Sequence, residues 1–283
     1  MDKARIAQLQ NDAAEIRKLT LDTISFLGKG HVGGSLSIVD ILTVLYCEKM
    51  KINPQNPKWE NRDRFILSKG HAGPAVYATL AYRGFFSKEE LHTLNLPYTN
   101  LPSHCDMQRT IGIDQTTGSL GQGLSCAVGQ AMALKLSGKT ENRVYCIVGD
   151  GELQEGQCWE AFMLAGGRKL DNLVCFCDRN HGQVDGSVEE ILDVEPLGDK
   201  LRAFNFAVYD IDGHDIGAIS DAIDRANRDG LPSFIICNTI KARGVPGMER
   251  KVETHNMPFS REQYEKAVAY IDAGYALPED KEG

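Results

Sequence analysis

No apolar run in this 283-residue sequence approaches the roughly 18 residues that cross a bilayer, so no helical membrane span is expected. Met1 to Gln10 carries Asp2, Lys3 and Arg5 and lacks the apolar centre of an export signal. No dense basic stripe occurs and the net charge is −8, which argues against nucleic acid as a partner. It does not argue against a small anion, because a divalent cation can neutralise a diphosphate locally. No CxxC pair is present among the eight cysteines, most of which sit in apolar runs, as Cys146, Cys175, Cys177 and Cys237 do. Cys175 and Cys177 would share one strand face, where a bond between them is strained. Free buried thiols in a reducing cytoplasm are the expectation. No GxGxxG follows an early strand and no Walker motif occurs, which removes the usual nucleotide-binding signals. Internal repeats and low-complexity segments are also lacking.

What is present reads as one α/β domain, residues 1–283, with a mostly parallel central sheet flanked by helices. Length and apolar content suffice for a large single core. Helices are expected over Asp12–Leu27, ended by Gly28, and over Ser37–Met50, with Ser37 as its cap. Pro74–Arg83, a capping-box turn from Ser87 to Leu94, the small-residue segment Leu120–Ser137 and Ile216–Arg228 are also read as helical. Strands are expected at Arg64–Leu67, Ala207–Asp210 and Ser233–Asn238. Pro97–Thr117, Asn180–Gly198 and the stretch from Lys241 to Phe259 read as loops. Ser260–Ala273 is read as a helix within a carboxyl-terminal segment, 260–283, whose end at Pro278–Gly283 is expected to fray.

The chemistry concentrates in two short clusters. Gly149-Asp150-Gly151 follows the apolar run Val144–Val148, and Asp178-Arg179-Asn180 follows Leu173–Cys177. Each run reads as a buried parallel strand, and Glu155–Arg168 between them reads as a crossover helix. Both clusters then lie at carboxyl ends of strands, where open α/β sheets bind ligands. Asp150 and Asn180 offer hard oxygen donors, and the glycines let backbone approach a phosphate. A lone GDG is a common turn; the Asn at this spacing points to a thiamine diphosphate motif.

The surrounding motifs resemble the transketolase family: Gly149-Asp150-Gly151-Glu152-Leu153-Gln154-Glu155-Gly156, Leu67-Ser68-Lys69-Gly70-His71-Ala72, Gly118-Ser119-Leu120-Gly121-Gln122-Gly123 and Gly30-His31-Val32-Gly33-Gly34-Ser35-Leu36-Ser37. The likeness runs from about Arg17 to His255. It implies thiamine diphosphate with Mg²⁺, or Ca²⁺ or Mn²⁺ in its place, held by Asp150, Asn180 and the Gly182 carbonyl. It places His71, Gly118, Ser119, Leu120, Gly149, Asp150, Gly151, Glu152, Asn180 and Val184 at the cofactor, with Leu120 packing on its rings. It puts His31 and His255 near the reacting oxygen and His104 near donor hydroxyls. Glu155 would support a glutamate across a subunit interface. His92, His181 and His214 match no such position and read as structural, and Gln122 receives no role. Ser103 before His104 and Cys105-Asp106-Met107 after it depart from the family pattern, which bears on donor and acceptor preference.

The implied reaction moves a two-carbon ketol unit from a ketose, or its phosphate, to an aldose. No pyrimidine-binding part is found in the sequence. The resemblance therefore implies the amino-terminal subunit of a split transketolase, paired as α2β2 with a carboxyl-terminal subunit that carries that part. The α subunit of another thiamine diphosphate enzyme, such as a 2-oxoacid dehydrogenase, and a non-catalytic cofactor-binding subunit stand as alternatives.

Overall fold

The computed structural model describes residues 1–275, so the tail at Pro278–Gly283 lies outside the described residues. Helix α1 (Lys3–Leu27) starts earlier than expected, because the Asp2 side chain caps it and accepts the Arg5 N–H at 2.7 Å. It ends as expected at Gly28, with φ at 84°. Next come β1 (Lys29–Gly30), α2 (Val32–Leu36) and α3 (Val39–Val44), which runs into a π turn at Leu45–Lys49. The single helix expected from Ser37 to Met50 is therefore corrected: Ser37 ends α2 rather than starting a helix, and Ile38 precedes α3. The Ser37 hydroxyl donates to Asp178 Oδ2 at 2.6 Å, a long-range contact that local pattern does not reveal.

Then follow β2 (Arg64–Leu67), α4 (Gly73–Tyr82), α5 (Gln122–Leu136), β3 (Val144–Gly149), α6 (Gly156–Gly167) and β4 (Leu173–Arg179). The segment at Ser87 is a 3₁₀ turn, Lys88–Thr93, without the expected capping box. Ser87 Oγ donates to Glu89 Oε2 at 2.7 Å instead. The stretch expected as loop after Asn180 contains α7 (Val188–Leu192), with a complete Ser187/Glu190 capping box. Helix α8 (Leu197–Ala203) follows and buries Leu197 and Leu201. The chain continues as β5 (Ala207–Asp212), α9 (Ile216–Ala226) and β6 (Ser233–Asn238). It then runs through β7 (Met257–Pro258) to α10 (Arg261–Asp272), which the Ser260/Gln263 capping box starts where expected.

Strands β2, β3, β4, β6 and β5 form, in that order, an all-parallel sheet, and β1 pairs antiparallel with β7. Because strand side chains alternate between faces, one strand feeds two cores. Tyr145 and Ile147 of β3 pack with α1, α3, α4 and α9, while Val144, Cys146 and Val148 pack with α5, α6 and α8. Burial on both faces is why these strands read as unbroken apolar runs. Gly123 lets α5 press on the exit of β2, since a Cβ there would sit 2.5 Å from Ser68 Cα. Gly129 on the same helix faces open space. The eight cysteines are free; Cys47 and Cys126 are partly exposed and the rest buried. No helix among the described residues is long and apolar enough to cross a membrane.

Candidate active site

The carboxyl ends of β2, β3, β4 and β6 deliver Lys69, Asp150, Asn180 and Lys241 to one cleft of about 370 Å³. Every site residue expected from the sequence lines this cleft except Ser119, which is exposed in the loop before α5. A larger open groove of about 900 Å³, beside the end of α5, contains none of them.

The two clusters are brought together by register: Gly149 lies opposite Asp178 across β3 and β4. Asp150 is buried, and its oxygens accept the N–H groups of Gly151 at 2.8 Å and His181 at 2.6 Å. Asn180 Nδ2 donates to Asp178 Oδ2 at 2.7 Å, and Asn180 Oδ1 accepts the Gly182 N–H at 3.1 Å. Because the amide donates to Asp178, its oxygen is fixed in the other direction. Asp178 itself is a hub. Lys69 Nζ, at 2.5 Å, and the hydroxyls of Ser37 and Thr239 also converge on it. Burial alone would raise this carboxyl, but Lys69 and the hydroxyl donors outweigh it and hold Asp178 below the usual carboxylate range.

No group of three or more His, Cys, Asp or Glu side chains that could hold a metal occurs among the described residues. The donors expected at Asp150, its own carboxylate with Asn180 and the Gly182 carbonyl, are oxygens. That suits a hard ion that keeps phosphate and water in its shell. Burial, with repulsion from Asp178, pushes the Asp150 carboxyl up to about 6, as for a carboxylate short of a cation.

Lys241 is the converse. It is 1% exposed, and its ammonium makes one hydrogen bond, at 3.5 Å to the Gln183 carbonyl. Burial and the nearby Lys69 lower it to about 8. Its chain passes Gly33 and Gly182, where an added Cβ would meet Lys241 carbons at 2.8 Å and 2.9 Å. Side chains at either position would block its path. A carboxylate wanting a cation thus lines the same cleft as a cation wanting an anion, and a metal–diphosphate pair fits both. Neither Lys69 nor Lys241 carries a role in the sequence reading. Lys69 stands inside a recognisable motif, whereas Lys241 follows a strand with no motif around it.

Glu152 is 2% exposed and ties three loops together. Oε1 accepts from the Ser68 hydroxyl and from the Gly121 N–H at 2.7 Å, and Oε2 accepts the Gly149 N–H at 3.0 Å. Its oxygens are spent on shaping the cleft wall. Glu155 stands exposed at the rim as the residue that precedes α6.

Four histidines from distant segments form one cluster. The His31 ring lies 5.3 Å from His71, 5.7 Å from His104 and 5.5 Å from His255, and His71 lies 4.9 Å from His255. Burial first, then the charges of His104 and Lys69, lowers His31 to about 4. Burial and Lys241 lower His255 to about 3. His71 lies well below its ordinary value and His104 is lowered, burial leading in both. The cluster is therefore neutral at pH 7, each ring offering one donor and one acceptor. The other three histidines are held outside the cleft by carboxylates: His92 by Asp22, His181 by Glu189 and His214 by Asp40.

With this geometry in place, similarity to known proteins is specific. Residues 9–277 match the family described as transketolase, thiamine diphosphate binding domain. The chain belongs to the transketolase family. It is 55% identical over 265 residues to the 6-deoxy-6-sulfo-D-fructose transketolase subunit SqwG of Clostridium sp. strain MSTE9, covering 93% of this chain and 96% of that one. Identity to an apulose-4-phosphate transketolase subunit of Phocaeicola vulgatus is 38%, over 94% of this chain and 95% of that one. Superposition on the Campylobacter jejuni transketolase gives a TM-score of 0.89 at 35% identity, covering 98% of this chain but 45% of that one. The chain thus corresponds to the amino-terminal, thiamine diphosphate-binding subunit of a split transketolase. It spans less than half the length of the solved transketolases it matches.

Proposed function

We propose that this chain supplies the metal- and diphosphate-binding half of a cytoplasmic ketol transferase that works with a second, pyrimidine-binding chain. The observation that carries this is the convergence of Asp150, Asn180, Lys241 and four neutral histidines on one cleft. Asp150, Asn180 and the Gly182 carbonyl would hold Mg²⁺, and Lys241 and His71 would face the diphosphate. When bound, thiamine diphosphate supplies the electron sink that lets a carbon–carbon bond beside a carbonyl break and re-form. The protein binds, orients and moves protons. His31 and His255, being neutral, can give a proton to a developing alkoxide or take one from a hydroxyl. His104, at the edge of the cluster, is placed to hold a donor hydroxyl.

The similarity to SqwG supports a ketose with an anionic group on its terminal carbon as donor, 6-deoxy-6-sulfo-D-fructose first and a ketose phosphate second. Relatives named as separate transketolase subunits support a partner chain, and sites related by twofold symmetry would make the assembly α2β2. The exposed side of α5 and the rim at Glu155 are the proposed contact surfaces.

The test is reconstitution. The purified chain with Mg²⁺, thiamine diphosphate, the sulfonated ketose and an aldose acceptor should transfer no ketol unit. Adding a transketolase-like pyrimidine-domain chain should start turnover. Full transfer by the chain alone, with host transketolase excluded, would overturn the split-enzyme reading. Decarboxylation of a 2-oxoacid in place of ketol transfer would overturn the reaction.

A further inference from the structure

His214 lies outside the cleft, and its contacts are more specific than packing requires. Its Nδ1 is 2.7 Å from Asp40 Oδ2, and its Nε2 accepts the backbone N–H of Ile240 at 2.8 Å. Accepting that N–H means Nε2 carries no proton, so Nδ1–H donates to Asp40 and the tautomer is fixed. Arg17 holds the same Asp40 oxygen through Nη2 at 2.7 Å, and its Nη1 donates to the Tyr275 hydroxyl at 2.9 Å. Arg17 is 1% exposed and Asp40 7%. A buried ion pair is a poor source of stability, because desolvation offsets much of the attraction. What this one secures is the position of a backbone group.

Ile240 directly precedes Lys241. The residue before Ile240 is held as well, since the Thr239 hydroxyl donates to Asp178 Oδ1. Consecutive residues are thus each pinned, one to the carboxylate hub of the site and one, through His214, to the ion pair of the core. From this corner Lys241 passes Gly33 and Gly182 into the cleft.

We propose that His214 is a positioning residue for the diphosphate site: through the Ile240 N–H it sets where the Lys241 ammonium stands. This rests on the reading that the cleft holds the cofactor's diphosphate. Orienting groups one layer behind a bound ligand are worth about 10–100-fold in affinity around metals, and an effect at the lower end is expected here.

Calorimetric titration of the full chain with Mg²⁺ and inorganic pyrophosphate, then with Mg²⁺ and thiamine diphosphate, tests it. His214→Ala should weaken both by about 10-fold. His214→Gln, whose amide offers one donor and one acceptor, should recover most of the loss. In a Lys241→Ala background, His214→Ala should add less than about twofold, because residues that act through one another are not additive. If His214→Ala does not fold, His214→Asn, too short to span both partners, replaces it in the cycle. An equal loss in both backgrounds, or parent-like affinity in His214→Ala, overturns the positioning role. Parent binding with no effect of Lys241→Ala also overturns it, and leaves the cofactor reading intact. Failure of the parent to bind either probe overturns the cofactor reading itself.

Discussion

His92, His181 and His214 each rest against a carboxylate, at 2.7 Å, 2.5 Å and 2.7 Å. His31, His71, His104 and His255 rest against one another, with Lys69 and Lys241 among their neighbours. The two sets of one residue type are prepared for different work. A carboxylate partner occupies a ring nitrogen and orients the ring. Those rings serve the scaffold: His92 also stacks on Phe26, and His214 holds a backbone N–H. In the cleft, burial and cations keep the rings neutral, and all four line space a ligand can fill.

The harshest way to break the contrast is to remove the metal ligand with charge. Asp150→Ala should abolish tight Mg²⁺-dependent thiamine diphosphate binding in the assembled enzyme, as calorimetry on variant and parent would show. Unchanged affinity would remove Asp150 from the metal site.

Next comes turnover. His31→Ala or His255→Ala should lower ketol transfer by about 10²–10⁴-fold at saturating cofactor, the usual worth of one acid–base group, with cofactor affinity largely kept. His92→Ala and His181→Ala should turn over like the parent. Steady-state kinetics on the four variants decides whether the division by contact is also a division by function.

That division is legible in the sequence because context carries it. The cleft histidines fall in glycine-rich or loop segments, and the βαβ pattern alone puts Asp150 and Asn180 at one sheet edge. What is not legible depends on distant partners. Ser37 looks like a helix cap, since nothing local shows Asp178 waiting 141 positions away. Helix α7 reads as loop because short helices carry little periodicity, and α8, held by burying Leu197 and Leu201, is not marked by any pattern. Lys241 carries no role in the sequence until the fold buries it between two glycines. Glu152 sits in a recognisable motif, yet its role as a tie between three loops emerges only from the folded chain.

A smaller effect separates the sets by pH. Asp150 must be ionised to hold a metal, and its carboxyl stands at about 6. Mg²⁺-dependent cofactor affinity should be flat above that pH and fall about tenfold per unit below it. The cleft histidines add a separate stability term, which Asp150 opposes in part because its raised value lets the folded chain take a proton first. Their folded values lie below the roughly 6.5 of an unfolded imidazole, so protons bind the unfolded chain first. The empty protein should lose stability as pH falls from about 6.5 towards 4, a trend that denaturant unfolding at stepped pH would show. A chain equally stable at about pH 6.5 and about pH 4.5 would contradict it.

The smallest expected change is the most direct probe of why the cleft rings differ. For His255, burial leads and Lys241 is the next cause holding it near 3. Lys241→Met keeps much of the side chain's length and removes the charge. The burial contribution should then persist while the repulsion disappears, so the His255 value should rise without reaching that of a free imidazole. Proton NMR of the imidazole signals across pH follows the His255 ring. A rise would assign its neutrality partly to the cation that the diphosphate is proposed to meet. No rise would leave burial, with His31 and Lys69, as the cause and place the Lys241 charge too far away to act. Adding Mg²⁺ and thiamine diphosphate to the parent should mimic the substitution in sign, because bound phosphate offsets the same charge.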